Sequence, residues 1–217
     1  MIKIAPSILG ADFACIGAEA KKAEKAGADW LHIDIMDGHF VPNLTMGPDM
    51  VKALKRSTNL FLDVHLMVEK PEVFLESFAA AGADLLTFHI ETAPDPTSNI
   101  ELIRSLGKKV GLSINPDKPI ESVLPFLHQV DLILLMSVFP GFGGQSFFPD
   151  SIERVRKIKN FIDDNNLGCL LEIDGGINRK TAPDVIAAGV DVLVMGSAFF
   201  GDDNKAELVE FFRSFPI

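Results

Sequence analysis

A (β/α)8 barrel, an α/β fold, is the architecture this chain predicts, and three observations carry it. Eight short apolar runs are spread from one end to the other, with amphipathic stretches between them. Three helix patterns close on a shared phrase, Ala-Gly-Ala/Val-Asp, at 26–29, 81–84 and 188–191. The 217 residues, 47% hydrophobic and 23% charged, have the make-up of a globular protein with a substantial core, which removes disorder, collagen-like repeats and coiled coils. Eight strand–helix units in that length fit one compact barrel, so 1–217 is expected to be a single domain.

The elements follow in order. The strands are expected at Lys3 to Leu9, Trp30 to Met36, Leu60 to Met67, Asp84 to Ile90, Lys109 to Ile114, Asp131 to Val138, Cys169 to Asp174 and Asp191 to Met195. Each is β-branched or Leu-rich and nearly continuous in apolar character, as parallel strands covered on both faces must be. Ala14 to Ala26 places Ile16, Ala20, Ala23 and Ala26 three or four apart with Lys and Glu between, a helix with one apolar stripe. Pro71-Glu72 opens a second helix, and Pro149-Asp150 a long one reaching about Asn165. The glycine of each shared phrase sits where a helix end needs a left-handed residue before the next strand. A doubly wound open sheet is the rival, but no GxGxxG follows the first strand.

Composition also narrows the partners. Thirty acidic against 20 basic residues give a net charge of −10, which repels nucleic acid and anionic membranes. Cys15 and Cys169 show no CxxC spacing and cannot build a disulfide framework, so they read as reduced thiols. No signal segment precedes Pro6 and no apolar stretch is long enough to span a bilayer, so a cytoplasmic location is expected.

In such a barrel the functional groups lie where strands end. His32 and Asp34 are two apart in the second strand and share a face, with Met36 next; His65 and Met67 share a face in the third; Asp174 ends the seventh. Ionisable groups inside apolar strands are costly unless paired or bound to a metal. His32, Asp34, His65 and Asp174 therefore form a candidate site for zinc, ferrous iron, manganese or cobalt, the alternative being core residues satisfied by hydrogen bonds. Asp34 and Asp174 come from well-separated strands and could face opposite sides of one flat intermediate, a geometry for two-base epimerisation beside a carbonyl. A cation would stabilise the charge that develops there. Met36, Met67 and Met136 would form an apolar wall, unless they are plain core.

A second constellation is rich in glycine. The sixth strand runs into Ser137-Val138-Phe139-Pro140-Gly141-Phe142-Gly143-Gly144-Gln145, the seventh into Gly175-Gly176, the eighth into Gly196-Ser197. None of these loops contains Lys or Arg. They predict a phosphate held by backbone amides, a helix N-terminus and the Ser197 hydroxyl without an ion pair, against the alternative of tight turns.

At these residues, and along nearly all of its length, the chain resembles the ribulose-phosphate 3-epimerase family. The matching phrases are Ala5-Pro6-Ser7-Ile8-Leu9, His32-Ile33-Asp34-Ile35-Met36-Asp37-Gly38-His39, Asp63-Val64-His65-Leu66-Met67, Pro140-Gly141-Phe142-Gly143-Gly144-Gln145, Asp174-Gly175-Gly176-Ile177 and Gly196-Ser197-Ala198. The resemblance implies that Asp34 accepts and Asp174 donates a proton, exchanging roles in reverse, and that His32, Asp34, His65 and Asp174 hold one divalent metal. It implies substrate contacts at Ser7 and His65 and along Gly141, Phe142, Gly143, Gly144, Asp174, Gly175, Gly176, Gly196 and Ser197. The implied substrate is a small phosphorylated ketose, D-ribulose 5-phosphate interconverted with D-xylulose 5-phosphate in the pentose phosphate pathway, and the implied assembly is a dimer or hexamer. Phe139 departs from the polar residue usual in the family. A sibling 3-epimerase acting on D-allulose 6-phosphate is the nearest alternative. A decarboxylase or aldolase barrel fits poorly, because His65 stands where its Asp-x-Lys pattern needs lysine; a silent binding barrel would be expected to lack one of the four site residues.

Overall fold

All eight expected runs become strands of a single parallel sheet in the computed structural model, which describes residues 1–93 and 95–215. They are β1 (Lys3–Pro6), β2 (Trp30–Met36), β3 (Phe61–Met67), β4 (Leu85–His89), β5 (Lys109–Ile114), β6 (Leu132–Met136), β7 (Leu170–Asp174) and β8 (Val192–Met195). Neighbours pair in sequence order from β2 to β8, and β8 pairs with β1. The last seam closes through a parallel bridge between Ser7 and His32, so the sheet curls into a nearly closed barrel. Around it lie α1 (Ile16–Lys25), α2 (Pro48–Ser57), α3 (Leu75–Ala81), α4 (Thr97–Ser105), α5 (Ser151–Asp164), α6 (Ala182–Ala187), α7 (Ser197–Phe200) and α8 (Lys205–Arg213). Between β5 and β6 the crossover is made by short 3-10 turns, Ile120–Ser122 and Leu124–Gln129, in a stretch interrupted by Pro119 and Pro125.

Some boundaries differ from the sequence expectation for local reasons. The first strand stops at Pro6 rather than Leu9, because the Ser7 hydroxyl accepts the Leu9 amide and starts a 3-10 turn over Ile8–Gly10. Pro71 opens a 3-10 turn, Pro71–Val73, and the α-helix proper begins at Leu75. The glycines of the shared phrase all take positive φ (89°, 111° and 103° at Gly27, Gly82 and Gly189), the left-handed conformation expected of them.

Side-chain alternation divides the apolar residues into two cores. Inward-facing Ala5, Trp30, Leu85, Leu132, Leu134, Val192 and Val194 fill the barrel. Outward-facing Ile33, Leu62, Leu66, Leu112 and Ile133 pack with helix residues such as Phe78, Phe199 and Phe212 in the larger core between sheet and helices. Truncating one of the latter, Leu112→Ala for instance, costs about 2–5 kcal/mol.

The N-terminal rim repeats one device four times. The Asp29 carboxylate accepts the Ile4 amide at 2.9 Å while the Asp29 amide donates to the Ile4 carbonyl at 3.0 Å. The same reciprocal pair joins Asp84 to Leu62, Asp131 to Val110 and Asp191 to Leu171. A cation rides on each carboxylate: Arg213 at 2.9 Å, Lys55 at 2.7 Å, Lys109 at 3.4 Å and Lys159 at 3.5 Å respectively. These aspartates thus tie β1 to β2, β3 to β4, β5 to β6 and β7 to β8.

Candidate active site

At the opposite rim the registers set the polar residues in layers. His32 lies beside Asp63, Asp34 beside His65 and Met36 beside Met67 across β2 and β3, while Met136 lies beside Asp174 across β6 and β7. His32, Asp34, His65 and Asp174 each offer one donor atom, and these atoms all lie within 4.8 Å of one another. The four residues picked out along the sequence thus converge in one cluster. His32 and His65 are fully buried, Asp34 nearly so, and Asp174 is half-buried at the edge of open space.

The surroundings of each donor follow from who touches it. His32 Nδ1 donates to Asp63 Oδ2 at 2.5 Å, which leaves Nε2 buried, without a hydrogen-bond partner among the described residues, and 3.4 Å from Asp34 Oδ1. His65 Nδ1 lies 3.3 Å from the same Asp34 oxygen, and the Ser7 hydroxyl donates to Asp34 Oδ2 at 2.5 Å. An orphaned imidazole nitrogen facing a carboxylate, with a second imidazole and a second carboxylate in reach, is a mixed N/O donor set that fits a divalent cation.

Burial and neighbouring charge pull these groups in different directions. Burial pushes the Asp34 carboxyl up, but His32 and His65 beside it outweigh burial and hold Asp34 well below the usual carboxylate range. Asp174 is pushed up to about 7 by burial and by the Asp34 charge. Burial brings His65 down to about 4, whereas the Asp63 and Asp34 charges overcome burial at His32 and raise it well above its ordinary value.

A cavity of about 460 Å³ opens above the cluster. Asp34 and Asp174 line it together with Ser7 and with Met36, Met67 and Met136; Met36 and Met67 cluster with Val41, and Met136 belongs to the inner barrel core with Val138 and Val194. All three glycine-rich loops line it too, through Gly141, Phe142, Gly143 and Gly144, Gly175 and Gly176, and Gly196 and Ser197. Gly176 shows why glycine is needed: its φ is +66°, and a Cβ there would stand 2.5 Å from the Phe147 amide nitrogen. The Ser137 hydroxyl reaches the Asp174 and Gly175 carbonyls at 2.8 and 2.7 Å, and the Asn43 side-chain amide donates to the Gly141 carbonyl at 2.7 Å, so one loop is braced from the end of β6 and another from the loop between β2 and α2.

Two expectations change. His65 does not line the cavity: it is fully buried behind Asp34, because its ring is held between Asp34 and His89. The helix that begins at Ser197 is a single turn of four residues, so its amides rather than a helix dipole are what it offers an anion. Asp63, Glu172, His89 and Glu91, which flank the cluster, were not singled out along the sequence. The two-residue spacing that joins His32 to Asp34 also joins Asp63 to His65 and Glu172 to Asp174, and carries that signal. Gly10 was missed as well; a Cβ there would meet the Gly196 carbonyl carbon at 2.5 Å, so the β1 turn and the Gly196 loop pack backbone to backbone.

Comparison with known proteins gives the family. The ribulose-phosphate 3-epimerase of Bacillus subtilis (strain 168) is 47% identical over 214 residues, spanning 98% of this chain and 99% of its own. The ribulose-phosphate 3-epimerase of Chlamydia pneumoniae is 47% identical over 207 residues, spanning 94% and 90%. Among solved structures, a 3-hexulose-6-phosphate synthase superposes with a TM-score of 0.69 at 16% identity, covering 98% of this chain and 99% of that one. A tryptophan synthase α-subunit of Pyrococcus furiosus superposes at 0.71 and 15% identity, covering 98% of each. These two share the barrel fold. The model of the ribulose-phosphate 3 epimerase family matches residues 3–200, and with relatives of that identity over nearly the whole length, the chain belongs to this family.

Proposed function

We propose that this chain, as one catalytic domain over 1–217, interconverts D-ribulose 5-phosphate and D-xylulose 5-phosphate by two-base proton exchange at C3. The observation that carries the reading is the pair Asp34 and Asp174: carboxylates from strands across the barrel that line one cavity and approach one cluster. One of them removes the C3 proton from one face of the sugar, and the other returns a proton to the opposite face of the enediolate, which inverts the centre. In the direction taken from ribulose phosphate, Asp34 accepts and Asp174 donates. The Ser7 hydroxyl, bonded to Asp34 Oδ2, fixes the orientation of this carboxylate and leaves Oδ1 turned to His32 and His65. The methionine wall keeps water from the intermediate.

His32 through Nε2, with Asp34, His65 and Asp174, would hold one divalent ion, drawn from zinc, ferrous iron, manganese and cobalt. When bound, such an ion stabilises negative charge on the sugar oxygens beside C3. The phosphate is gripped by amides of the Gly141 to Gly144, Gly175-Gly176 and Gly196-Ser197 segments and by the Ser197 hydroxyl. Net charge of −10 argues against nucleic acid or anionic membrane as partner. Among the described residues no helix is long and apolar enough to cross a membrane. A cytoplasmic enzyme assembled as a homodimer or hexamer is the setting we infer.

The test is exchange in heavy water. Metal-loaded protein incubated with ribulose 5-phosphate should place deuterium at C3 and yield xylulose 5-phosphate; absence of exchange overturns the epimerase reading. Run in parallel with D-allulose 6-phosphate, a clear preference for the hexulose would overturn the substrate while leaving the chemistry.

A further inference from the structure

We propose that His89 and Glu91 are positioning residues that decide which nitrogen of His65 faces the ligand cluster. The inference rests on the reading that His65 helps to hold a divalent ion.

His65 Nε2 and His89 Nε2 are 2.8 Å apart, and both rings are fully buried. Ring nitrogens at that distance form a stable contact when one carries the hydrogen and the other offers its lone pair. The far side of His89 sets the direction. His89 Nδ1 lies 3.3 Å from Glu91 Oε2, and a carboxylate only accepts, so Nδ1 carries a hydrogen. With one hydrogen on the ring, and that one on Nδ1, His89 Nε2 is bare and takes a hydrogen from His65 Nε2. That leaves the lone pair of His65 on Nδ1, 3.3 Å from Asp34 Oδ1. Two acceptors at that distance repel unless a cation sits between them, which is what a ligand set requires.

The relay is anchored at its outer end. Glu91 Oε1 accepts the Asn115 amide at 2.8 Å, and the Asn115 carbonyl accepts from Arg154 Nη2 of α5 at 3.0 Å. Phe40 packs against the His89 ring at 4.7 Å between centroids. His32 solves the same problem more directly, with Asp63 holding its Nδ1, so the two histidines present different nitrogens, Nε2 of His32 and Nδ1 of His65. Each is oriented by its own carboxylate, one in contact and one a ring away.

Two measurements decide it. In zinc-loaded protein labelled with 15N-histidine, two-bond proton–nitrogen spectra should show His65 protonated at Nε2 and His89 at Nδ1; the opposite tautomers overturn the relay. Cobalt affinity by chelator competition should fall about 10–100-fold in His89→Leu. His89→Gln, whose amide oxygen still accepts, should retain most of the affinity. Glu91→Leu should weaken the parent and add little in the His89→Leu background. Unchanged affinity in His89→Leu, or a full extra loss from Glu91→Leu in that background, overturns the proposal. If His89→Leu does not fold, the parent spectra and the His89→Gln affinity decide. A parent protein that binds no cobalt sinks the reading of the metal site itself, a result distinct from variants that bind as well as the parent.

Discussion

The two rims of this barrel use aspartate for opposite ends. At the N-terminal rim Asp29, Asp84, Asp131 and Asp191 each have a backbone amide and a Lys or Arg as partners and stay partly open to solvent. At the C-terminal rim Asp34 is buried and Asp174 half-buried, and the two crowd one another and two histidines and are driven apart in acidity, one below and one above the usual carboxylate range. The same side chain ties strands together where its partners match it, and is poised for proton traffic where they do not. Stability and chemistry are thus separated along the strand axis, and substitutions at the two rims should separate them by experiment.

The largest effect is expected at the upper rim. Asp34→Asn and Asp174→Asn should each lower turnover by a factor on the order of 10²–10⁴ or more without lowering the melting temperature by more than a few degrees. Near-normal rates in either variant would break the two-base assignment. Ser197→Asp should raise KM roughly tenfold or more by setting a charge against the phosphate, with metal content unchanged by elemental analysis. Equal loss of metal would mean that this loop belongs to the cluster rather than to the phosphate. At the lower rim the signature inverts. Asp84→Ala should cost about 1–2 kcal/mol in chemical denaturation with turnover intact. Asp84→Asn should recover most of that, because its oxygen still accepts the Leu62 amide and only the Lys55 pair is lost, worth less than about 1 kcal/mol. A fall in turnover to match the fall in stability would erase the distinction between rims. The smallest effect belongs to Phe139, which is 48% exposed at the cavity edge and edge-on to Phe148: Phe139→Asn should move the pentulose-to-hexulose preference by no more than about threefold, since it gains or loses one solvated contact.

The barrel was legible because parallel strands covered on both faces write continuous apolar runs, and because glycine at Gly27, Gly82 and Gly189 marks each helix end in the same words. The four cluster residues were legible because ionisable groups in such runs are costly and these four fall towards the ends of three strands. Boundaries were less so: nothing in the order of residues says that the Ser7 hydroxyl turns the chain at Pro6. Asp29, Asp84 and Asp191 look, in the sequence, like ordinary polar residues just past a helix end. The backbone amides they accept lie 20 or more positions away, and no periodicity reports a contact of that kind. His89 and Glu91 escaped for a similar reason. Each looks like the polar end of an ordinary strand until β3 and β4 bring His89 against His65.

The lower-rim pairs have one more consequence, for the order in which the chain can be taken apart. Each joins a strand to its successor, and none joins an even-numbered strand to the next odd one. A nick after β2, β4 or β6 would leave every such amide–carboxylate pair inside one fragment, parting only the Arg213–Asp29 ion pair, whereas a nick after β1, β3, β5 or β7 would sever one. The polypeptide is therefore laced in quarters, and its natural seams for splitting and reassembly from pieces fall after every second strand.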